Sequence, residues 1–230
     1  MSRRATSRAA TPKLLKERRA VIAAARSLRA AGLVHGREGN VGLRTDDGLL
    51  VTPTGINYEA FRPAHIVWMD SAGKATGSHI PSSEWRFHLH IFAARPEINA
   101  VVHTHSMFAT ALACQGLGIP PFHYMVALAG GSDIRCAPYA TFGTQALARH
   151  AVTALKDRRA CLLVHHGMIA LGADLNEAVA LAGEVERLAE QYWRVRLLGK
   201  PKLLSAAEMK KVLKKFAGYG RRMGTGSHKK

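Results

Sequence analysis

The sequence is poor in cysteine and in long apolar runs, and each shortage excludes a class of protein. Three cysteines in 230 residues, Cys114, Cys136 and Cys161, are too few and too far apart for a disulfide framework, so they indicate reduced thiols in a cytoplasmic protein. No apolar run approaches the ~18 residues of a membrane helix. The short apolar stretch at 20–25 is interrupted by Arg26, so we expect no signal peptide and no membrane partner.

Acidic residues are also scarce, 16 against 33 Lys and Arg, which gives a formal net charge of +17. The excess lies at the two ends: residues 1–19 carry seven basic side chains and one acid, and residues 200–230 carry ten and one. A protein that reads nucleic acid is expected to carry its basic stripe on a folded element. We therefore interpret 1–12 and 223–230 as disordered basic tails and expect no specific nucleic-acid partner. Weak, salt-sensitive contact of the tails with polyanions is the alternative.

The body of the chain has the composition of one folded domain, because 47% of the residues are apolar. Both helical and strand periodicities are present, with no internal repeat and no long linker, which predicts a single α/β or α+β domain over 13–222. Helices are predicted over 13–31, 81–94, 107–115, 145–157, 176–198 and 205–216, and strands over 41–52 (a hairpin), 66–70, the run that ends at His105, and 160–171.

Two histidines at alternate positions end one of these apolar runs, Ala100-Val101-Val102-His103-Thr104-His105. In a strand, alternate residues point to the same face, so the imidazoles of His103 and His105 are predicted to lie side by side. A second apolar run, 161–164, ends in His165-His166-Gly167. One imidazole from that pair would complete three nitrogen ligands with one position open, which is typical of a catalytic zinc site.

The residues alone leave the ligand set open. Neighbours in a regular strand point to opposite faces, so at most one of His165 and His166 joins the site. His88 and His90 are a competing source of imidazoles, but Glu84 and His88 lack the second histidine of an H-E-x-x-H pattern, so we interpret His88 as structural. Zinc suits imidazole ligands best, with Co²⁺, Mn²⁺ and Fe²⁺ as alternatives.

The segment Pro81-Ser82-Ser83-Glu84 predicts a helix start and admits two roles. As a cap, one serine and the glutamate stabilise the first helical turn. As a site, the two hydroxyls and the helix N-terminus bind an anion such as phosphate, and the nearby carboxylate exchanges protons or binds the metal. Asn40 and Thr54-Gly55 lie in turns and are further candidate donors, because small residues let backbone N–H groups approach a phosphate.

A series of short blocks keeps a recognisable order and spacing: Gly39-Asn40-Val41, 51–56, 81–88, 100–105, 119–125, 136–143 and His165-His166-Gly167. Together these blocks resemble the class II aldolase and adducin family, from about residue 13 to residue 222. The resemblance implies a single-domain α/β fold of three layers, in which a central, mainly antiparallel sheet is flanked by helices.

The resemblance also implies the metal ligands and the catalytic groups. It places one zinc ion per subunit on His103, His105 and His166, and it makes Glu84 an acid–base carboxylate that binds the metal when no substrate is present. Tyr124 matches a tyrosine that protonates the aldehyde oxygen from a neighbouring subunit. The resemblance therefore implies a homotetramer with active sites at subunit interfaces.

The substrate-binding residues are implied in the same way. The positions that match the phosphate-binding residues of the family are Asn40, Thr54, Gly55, Ser82 and Ser83. Phe142 matches an aromatic residue of the aldehyde pocket, and Tyr219 belongs to a tail that folds over the site.

The implied reaction is reversible cleavage of a ketose 1-phosphate, such as L-fuculose 1-phosphate, to dihydroxyacetone phosphate and an aldehyde such as lactaldehyde. Zinc would act as the Lewis acid, Glu84 would move the proton at carbon, and Tyr124 would move the proton on the aldehyde oxygen. The alternatives are a 5-deoxy- or 5-methylthio-pentulose 1-phosphate as substrate, a related epimerase or decarboxylase, and a non-catalytic scaffold like adducin. The presence of all three ligand histidines with Glu84 and Tyr124 argues against the scaffold.

Overall fold

One mixed β-sheet organises residues 14–218, the part of the chain that our computed structural model describes. Its strands are β1 Asn40–Thr45, β2 Gly48–Val51, β3 Val67–Asp70, β4 Ala75–Thr76, β5 Ala100–Thr104, β6 Arg135–Ala137, β7 Ala160–Leu163 and β8 Gly167–Gly172. The strand order is β4-β3-β2-β1-β5-β8-β7-β6. The β6–β7 pairing is parallel and the other pairings of this sheet are antiparallel, so the predicted mainly antiparallel sheet is confirmed.

Helices cover both faces of the sheet and complete the three predicted layers. They are α1 Leu15–Ala30, α2 Trp85–Ala94, α3 Met107–Cys114, α4 Gln145–Ala154, α5 Leu175–Leu197 and α6 Ala206–Gly218, with short 3₁₀ segments at Tyr58–Ala60, Pro63–His65 and Tyr124–Ala129. One apolar core lies between the sheet and α1, α3 and α5, and a second lies between the opposite face and α2 and α4. The predicted fold class is therefore confirmed. Within residues 14–218, no helix combines the length and the apolar character that a bilayer crossing requires.

Strand alternation in β5 decides which layer receives the histidines. Ala100 and Val102 point into the core beneath α5, whereas Val101 points into the core beneath α2. His103 follows Val101 at the next alternate position, and its ring lies 5.3 Å from the ring of Phe87 in α2. The sequence pattern of β5 therefore directs this imidazole toward the N-terminal end of α2.

We predicted a single strand over 160–171, and that prediction is wrong. The chain reverses at His165, which has a left-handed φ of 55°, and β7 and β8 pair as an antiparallel hairpin with Leu163 opposite Gly167. A Cβ atom at Gly167 would lie 2.3 Å from the Thr104 carbonyl oxygen, so the second strand can begin beside β5 only with glycine there. Both strands are buried and the turn has no Asn-Gly or Pro signal, which explains why the apolar pattern looked continuous.

The other predicted elements are present with shifts of a few residues at their ends. The largest shift is at the start of α2, which begins at Trp85 and not at residue 81. Three predictions lie outside the described residues: the disordered tails at 1–12 and 223–230, and the role of Tyr219.

Candidate active site and metal centre

Four side chains from three parts of the fold meet at one point. His103 lies in β5 and His105 directly follows that strand, His166 comes from the turn between β7 and β8, and Glu84 immediately precedes α2. One potential ligand atom from each residue lies within 4.8 Å of the others. His103 is fully buried and Glu84 is 6% exposed, so the cluster sits at the base of a cavity rather than on the surface.

The spacing of the ligand atoms matches the space around one metal ion. His103 Nε2 lies 3.0 Å from His105 Nε2 and 3.2 Å from Glu84 Oε2, and His166 Nε2 lies 3.0 Å from Glu84 Oε1. Ligands at about 2.0–2.1 Å from a tetrahedral zinc ion are separated by roughly 3.3 Å. Although Glu84 Oε1 is close to His166, it is a buried oxygen without an aligned hydrogen bond. A cation shared by these residues would satisfy it.

Groups behind the imidazoles set their tautomers. His103 Nδ1 lies 2.9 Å from the Met168 carbonyl oxygen, which can only accept, so Nδ1 carries the proton and Nε2 keeps a lone pair for a metal. His105 Nδ1 lies 3.5 Å from Glu38 Oε2, so a carboxylate stands behind this ligand as well. Three imidazoles and a carboxylate, with oriented nitrogens, are a donor set that fits zinc or a similar divalent ion.

The charge states of the cluster favour metal binding. Burial alone would raise the pKa of Glu84, but the adjacent imidazoles of His103 and His166 outweigh it and hold that pKa far below its usual value. Burial, together with the neighbouring imidazoles, lowers the pKa of His105 to about 3. At neutral pH the site therefore presents an ionised carboxylate and a neutral His105, whereas the adjacent carboxylate raises the pKa of His103 against the effect of burial, so a metal ion bound there would displace a proton.

A cavity of about 320 Å³ opens beside this cluster. The residues predicted to bind substrate that line it are Asn40, Thr54, Ser82, Ser83 and Phe142. Gly55, the next residue after Thr54, is not among the lining residues and has a left-handed conformation with φ of 74°, which favours glycine. The structure thus brings the segments that carry Asn40, Thr54, Ser82 and Ser83 to one cavity.

The serines lie just outside the helix rather than capping it in the predicted way. Helix α2 begins at Trp85, and its N-cap residue Glu84 makes no side-chain capping bond. Ser82 Oγ accepts a hydrogen bond from the Glu84 N–H at 3.3 Å, whereas Ser83 is exposed on the cavity wall. One hydroxyl therefore stabilises the turn that presents Glu84, and the other faces the space where a substrate would lie.

Asn40 is in the cavity wall, but its amide is held by protein groups. It is 1% exposed; its Nδ2 donates to Glu84 Oε2 at 3.0 Å, and its Oδ1 lies 2.5 Å from His88 Nε2. Asn40 therefore connects the candidate metal ligand Glu84 to the buried His88, a contact that the sequence did not predict.

Sequence reasoning missed three polar side chains of the cavity wall, Arg37, Glu38 and Tyr139, and His165, which it had weighed against His166 as a ligand, lines the same cavity. Arg37 and Glu38 stand beside the Gly39-Asn40-Val41 block, and Tyr139 lies inside the 136–143 block, so proximity to a motif was the available signal. Nothing in their spacing showed that they face the same cavity, because the loops that carry them meet only in the folded chain.

Tyr124 and the metal cluster do not meet within one protomer. Tyr124 is 50% exposed, and its ring stacks on Phe216 of α6 with centroids 6.4 Å apart. Both rings line a separate, mainly apolar hollow of about 490 Å³, together with Met125 and Leu128. Tyr124 therefore does not line the cavity beside the metal cluster.

Comparison with known proteins agrees with the architecture and the residue blocks. Residues 19–193 match the family model described as the class II aldolase and adducin N-terminal domain. A 5-methylthioribulose-1-phosphate/5-deoxyribulose-1-phosphate aldolase of Rhodospirillum rubrum is 55% identical over 203 residues, covering 88% of this chain and 92% of that protein. An L-fuculose phosphate aldolase of Escherichia coli K12 is 49% identical over 193 residues, covering 84% and 90%.

A solved structure of an L-fuculose 1-phosphate aldolase superposes with a TM-score of 0.85 at 35% identity, covering 90% of this chain and 98% of that one. The match spans nearly the whole of that protein. Fold, residue blocks and relatives agree with the prediction from sequence, and the chain belongs to the class II aldolase and adducin family.

Proposed function

We propose that this protein is a zinc-dependent class II aldolase that reversibly cleaves a ketose 1-phosphate to dihydroxyacetone phosphate and an aldehyde. The observation that carries the proposal is the convergence of His103, His105, His166 and Glu84 at the base of a cavity with hydroxyl groups on its wall. The relatives named for aldol cleavage of ketose phosphates support it.

Each part of the cavity has a role in this reaction. A divalent ion held by the three histidines would supply Lewis acidity for the oxygens of the substrate. The hydroxyls of Thr54, Ser82 and Ser83, with Asn40 and Gly55, bind the phosphate and thereby orient the reacting carbons. Remote binding energy from the phosphate is then used to position the bond that breaks.

Glu84 is proposed to exchange the proton with the substrate carbon. Its carboxylate is ionised, buried and adjacent to the metal ligands, so it can accept a proton from the substrate carbon and return it. Its hydrogen bond to Asn40 and its contacts with His103 and His166 hold it in place when no substrate is bound.

Tyr124 is proposed to protonate the aldehyde oxygen from a neighbouring subunit of a homotetramer. Its exposure on the outer surface supports this role.

If the site is shared, mixing inactive Tyr124→Phe subunits with inactive His103→Ala subunits will restore part of the activity, because some sites then combine one intact metal centre with one intact tyrosine. Activity is measured after subunit exchange verified by native mass spectrometry. Failure to regain activity in verified mixed oligomers would rule out a shared site.

The candidate substrates differ in the polarity of the aldehyde that they release. L-Fuculose 1-phosphate releases lactaldehyde, whereas 5-deoxy- and 5-methylthio-ribulose 1-phosphates place a less polar group at the far end. Tyr139 and Phe142 are 58% and 65% exposed at the cavity mouth, and this aromatic lining favours a less polar aldehyde. The 55% identical relative is named for methylthioribulose and deoxyribulose phosphates, which agrees with this preference. The 5-methylthio- and 5-deoxy-ribulose 1-phosphates are therefore candidate substrates beside L-fuculose 1-phosphate.

A panel assay tests the proposal and chooses the substrate. We expect release of dihydroxyacetone phosphate from at least one of the three ketose 1-phosphates, loss of that release with a chelator, and recovery on adding zinc. Release is followed with a coupled dehydrogenase, and kcat/KM ranks the substrates. Cleavage that survives removal of all metal, or no cleavage of any of the three, contradicts the proposal.

The remaining features of the proposal are the metal, the compartment and the domain limits. Zinc is proposed because its preferred ligands are those of the cluster. A cytoplasmic location is proposed because Cys114, Cys136 and Cys161 are all free thiols. The aldolase domain is proposed to extend over 13–222, which includes helix α6 beyond the matched region 19–193.

A further inference from the structure

His88 is a fully buried imidazole that the proposed mechanism does not use. It lies on α2, one turn after Glu84, and its ring packs directly against β1. A Cβ atom at Gly42 would lie 2.4 Å from His88 Nδ1, so the ring fits only because residue 42 is glycine. Its Nδ1 atom is buried without a hydrogen-bond partner. A polar ring that is enclosed this tightly and left half-satisfied is unusual in a protein core.

The contacts of Asn40 determine the proton on this ring. As a metal ligand, the Glu84 carboxylate offers only acceptor oxygens, so the Asn40 atom 3.0 Å from Glu84 Oε2 is the donor Nδ2. The other end of the amide, Oδ1, therefore faces His88, and an acceptor at 2.5 Å requires that Nε2 carries the proton. Burial lowers the pKa of His88 to about 3, so the ring is neutral and its unpartnered Nδ1 is the deprotonated nitrogen.

From this arrangement we propose that His88 is a positioning residue that acts on the metal site through Asn40. Its Nε2–H fixes the amide in one of its two flips, and the amide then always presents an N–H, never its carbonyl oxygen, toward Glu84. The flipped amide would place Oδ1 against the carboxylate, and two acceptors in contact would repel Glu84 from the cluster.

The proposed role of His88 rests on the proposed function only for its effect on the rate of cleavage. The orientation of Glu84 as a metal ligand does not require a particular substrate. When the carboxylate moves during a reaction cycle, the same fixed N–H faces the cavity and is available to an anionic oxygen of the substrate. A single buried ring thereby sets the polarity of one wall of the active site.

The test is the zinc affinity of His88 variants, measured by chelator competition on metal-free protein. We expect His88→Phe to weaken zinc binding by about 10-fold to 100-fold, the range typical when a group that orients a ligand is removed. His88→Gln keeps an N–H donor and should recover most of that loss. The matched control is His90→Phe, on the same helix but in a different hollow beside Arg149, which should bind zinc as the wild type does.

Two further readouts separate positioning from general damage to the core. The visible spectrum of the Co²⁺-substituted protein should change in His88→Phe and not in His90→Phe, since it reports the ligand geometry directly. In a double-mutant cycle, His88→Phe should add little to the affinity loss of Asn40→Ala, because both changes break the same connection. Should His88→Phe fail to fold, His88→Gln is tested alone and in the Asn40→Ala background.

Folded His88→Phe with unchanged zinc affinity would overturn the inference. Fully additive losses in the cycle, or a His88→Gln variant as impaired as His88→Phe, would overturn it as well. These measurements contain no substrate, so they can support the role of His88 even if the panel of ketose phosphates shows that the proposed reaction is wrong.

Discussion

Glu84→Gln is expected to keep the metal and lose most of the turnover. Glutamine has nearly the shape of glutamate and retains an oxygen that can accept from Asn40 and contact a metal, but its amide cannot take a proton from carbon. A general acid–base group contributes about 100-fold to 10,000-fold to the rate, so kcat should fall within that range. Steady-state cleavage of the preferred ketose 1-phosphate, with zinc content determined by elemental analysis, measures both effects.

The cavity offers a matched control for this variant in a second carboxylate. Glu38 also lines the cavity, but it lies behind His105, 3.5 Å from its Nδ1, rather than among the ligand atoms. Glu38→Gln should therefore lower metal affinity modestly and leave kcat of the metal-saturated enzyme close to that of the wild type. Wild-type kcat in Glu84→Gln would remove Glu84 from the role of proton carrier. A larger loss of kcat in Glu38→Gln would transfer that role to Glu38.

His103→Ala is expected to abolish both stable metal binding and cleavage. His103 Nε2 contacts two other members of the cluster, so its removal leaves only two imidazoles and one carboxylate around the metal position. Zinc per chain after gel filtration should fall from about one to near zero. Because a ligand that binds only the folded state stabilises it, chelation should lower the Tm of the wild type but not that of His103→Ala.

His165 provides the control, since it neighbours a proposed ligand and lines the same cavity without joining the cluster. His165→Ala should keep full zinc occupancy and the chelator-dependent change in Tm. Full occupancy in His103→Ala would contradict the ligand assignment. Loss of zinc in His165→Ala would show that metal binding also depends on the conformation of the turn at His165, and not only on the imidazole of His166.

The pair of imidazoles was predictable because its geometry is local. A strand places alternate residues on one face whatever the rest of the chain does, so the positions of His103 and His105 required only that 100–104 be extended. The same reasoning failed between Leu163 and Gly167. There the backbone turns because Gly167 must approach the Thr104 carbonyl, and that contact joins residues more than sixty positions apart.

The choice between His165 and His166 shows the same limit. A regular strand would have placed the two on opposite faces, and the residues could not say which face was the site. In the fold, the left-handed conformation of His165 aims that ring at the cavity mouth beside Tyr139, with centroids 6.0 Å apart, and brings His166 to the cluster. Only the family resemblance indicated His166 from sequence, because the turn conformation depends on packing.

By itself, the sequence determined the family, the three-layer fold and the residue types of a metal site, because those depend on local periodicity and on motifs that are contiguous in the chain. The tertiary structure decided which atoms meet. It brought Glu84 to the histidines, set Asn40 between Glu84 and the buried His88, and placed Tyr124 away from the cluster of its own protomer. Contacts of this kind join distant segments, and their geometry depends on the packing of helices against the sheet, which no spacing along the chain records.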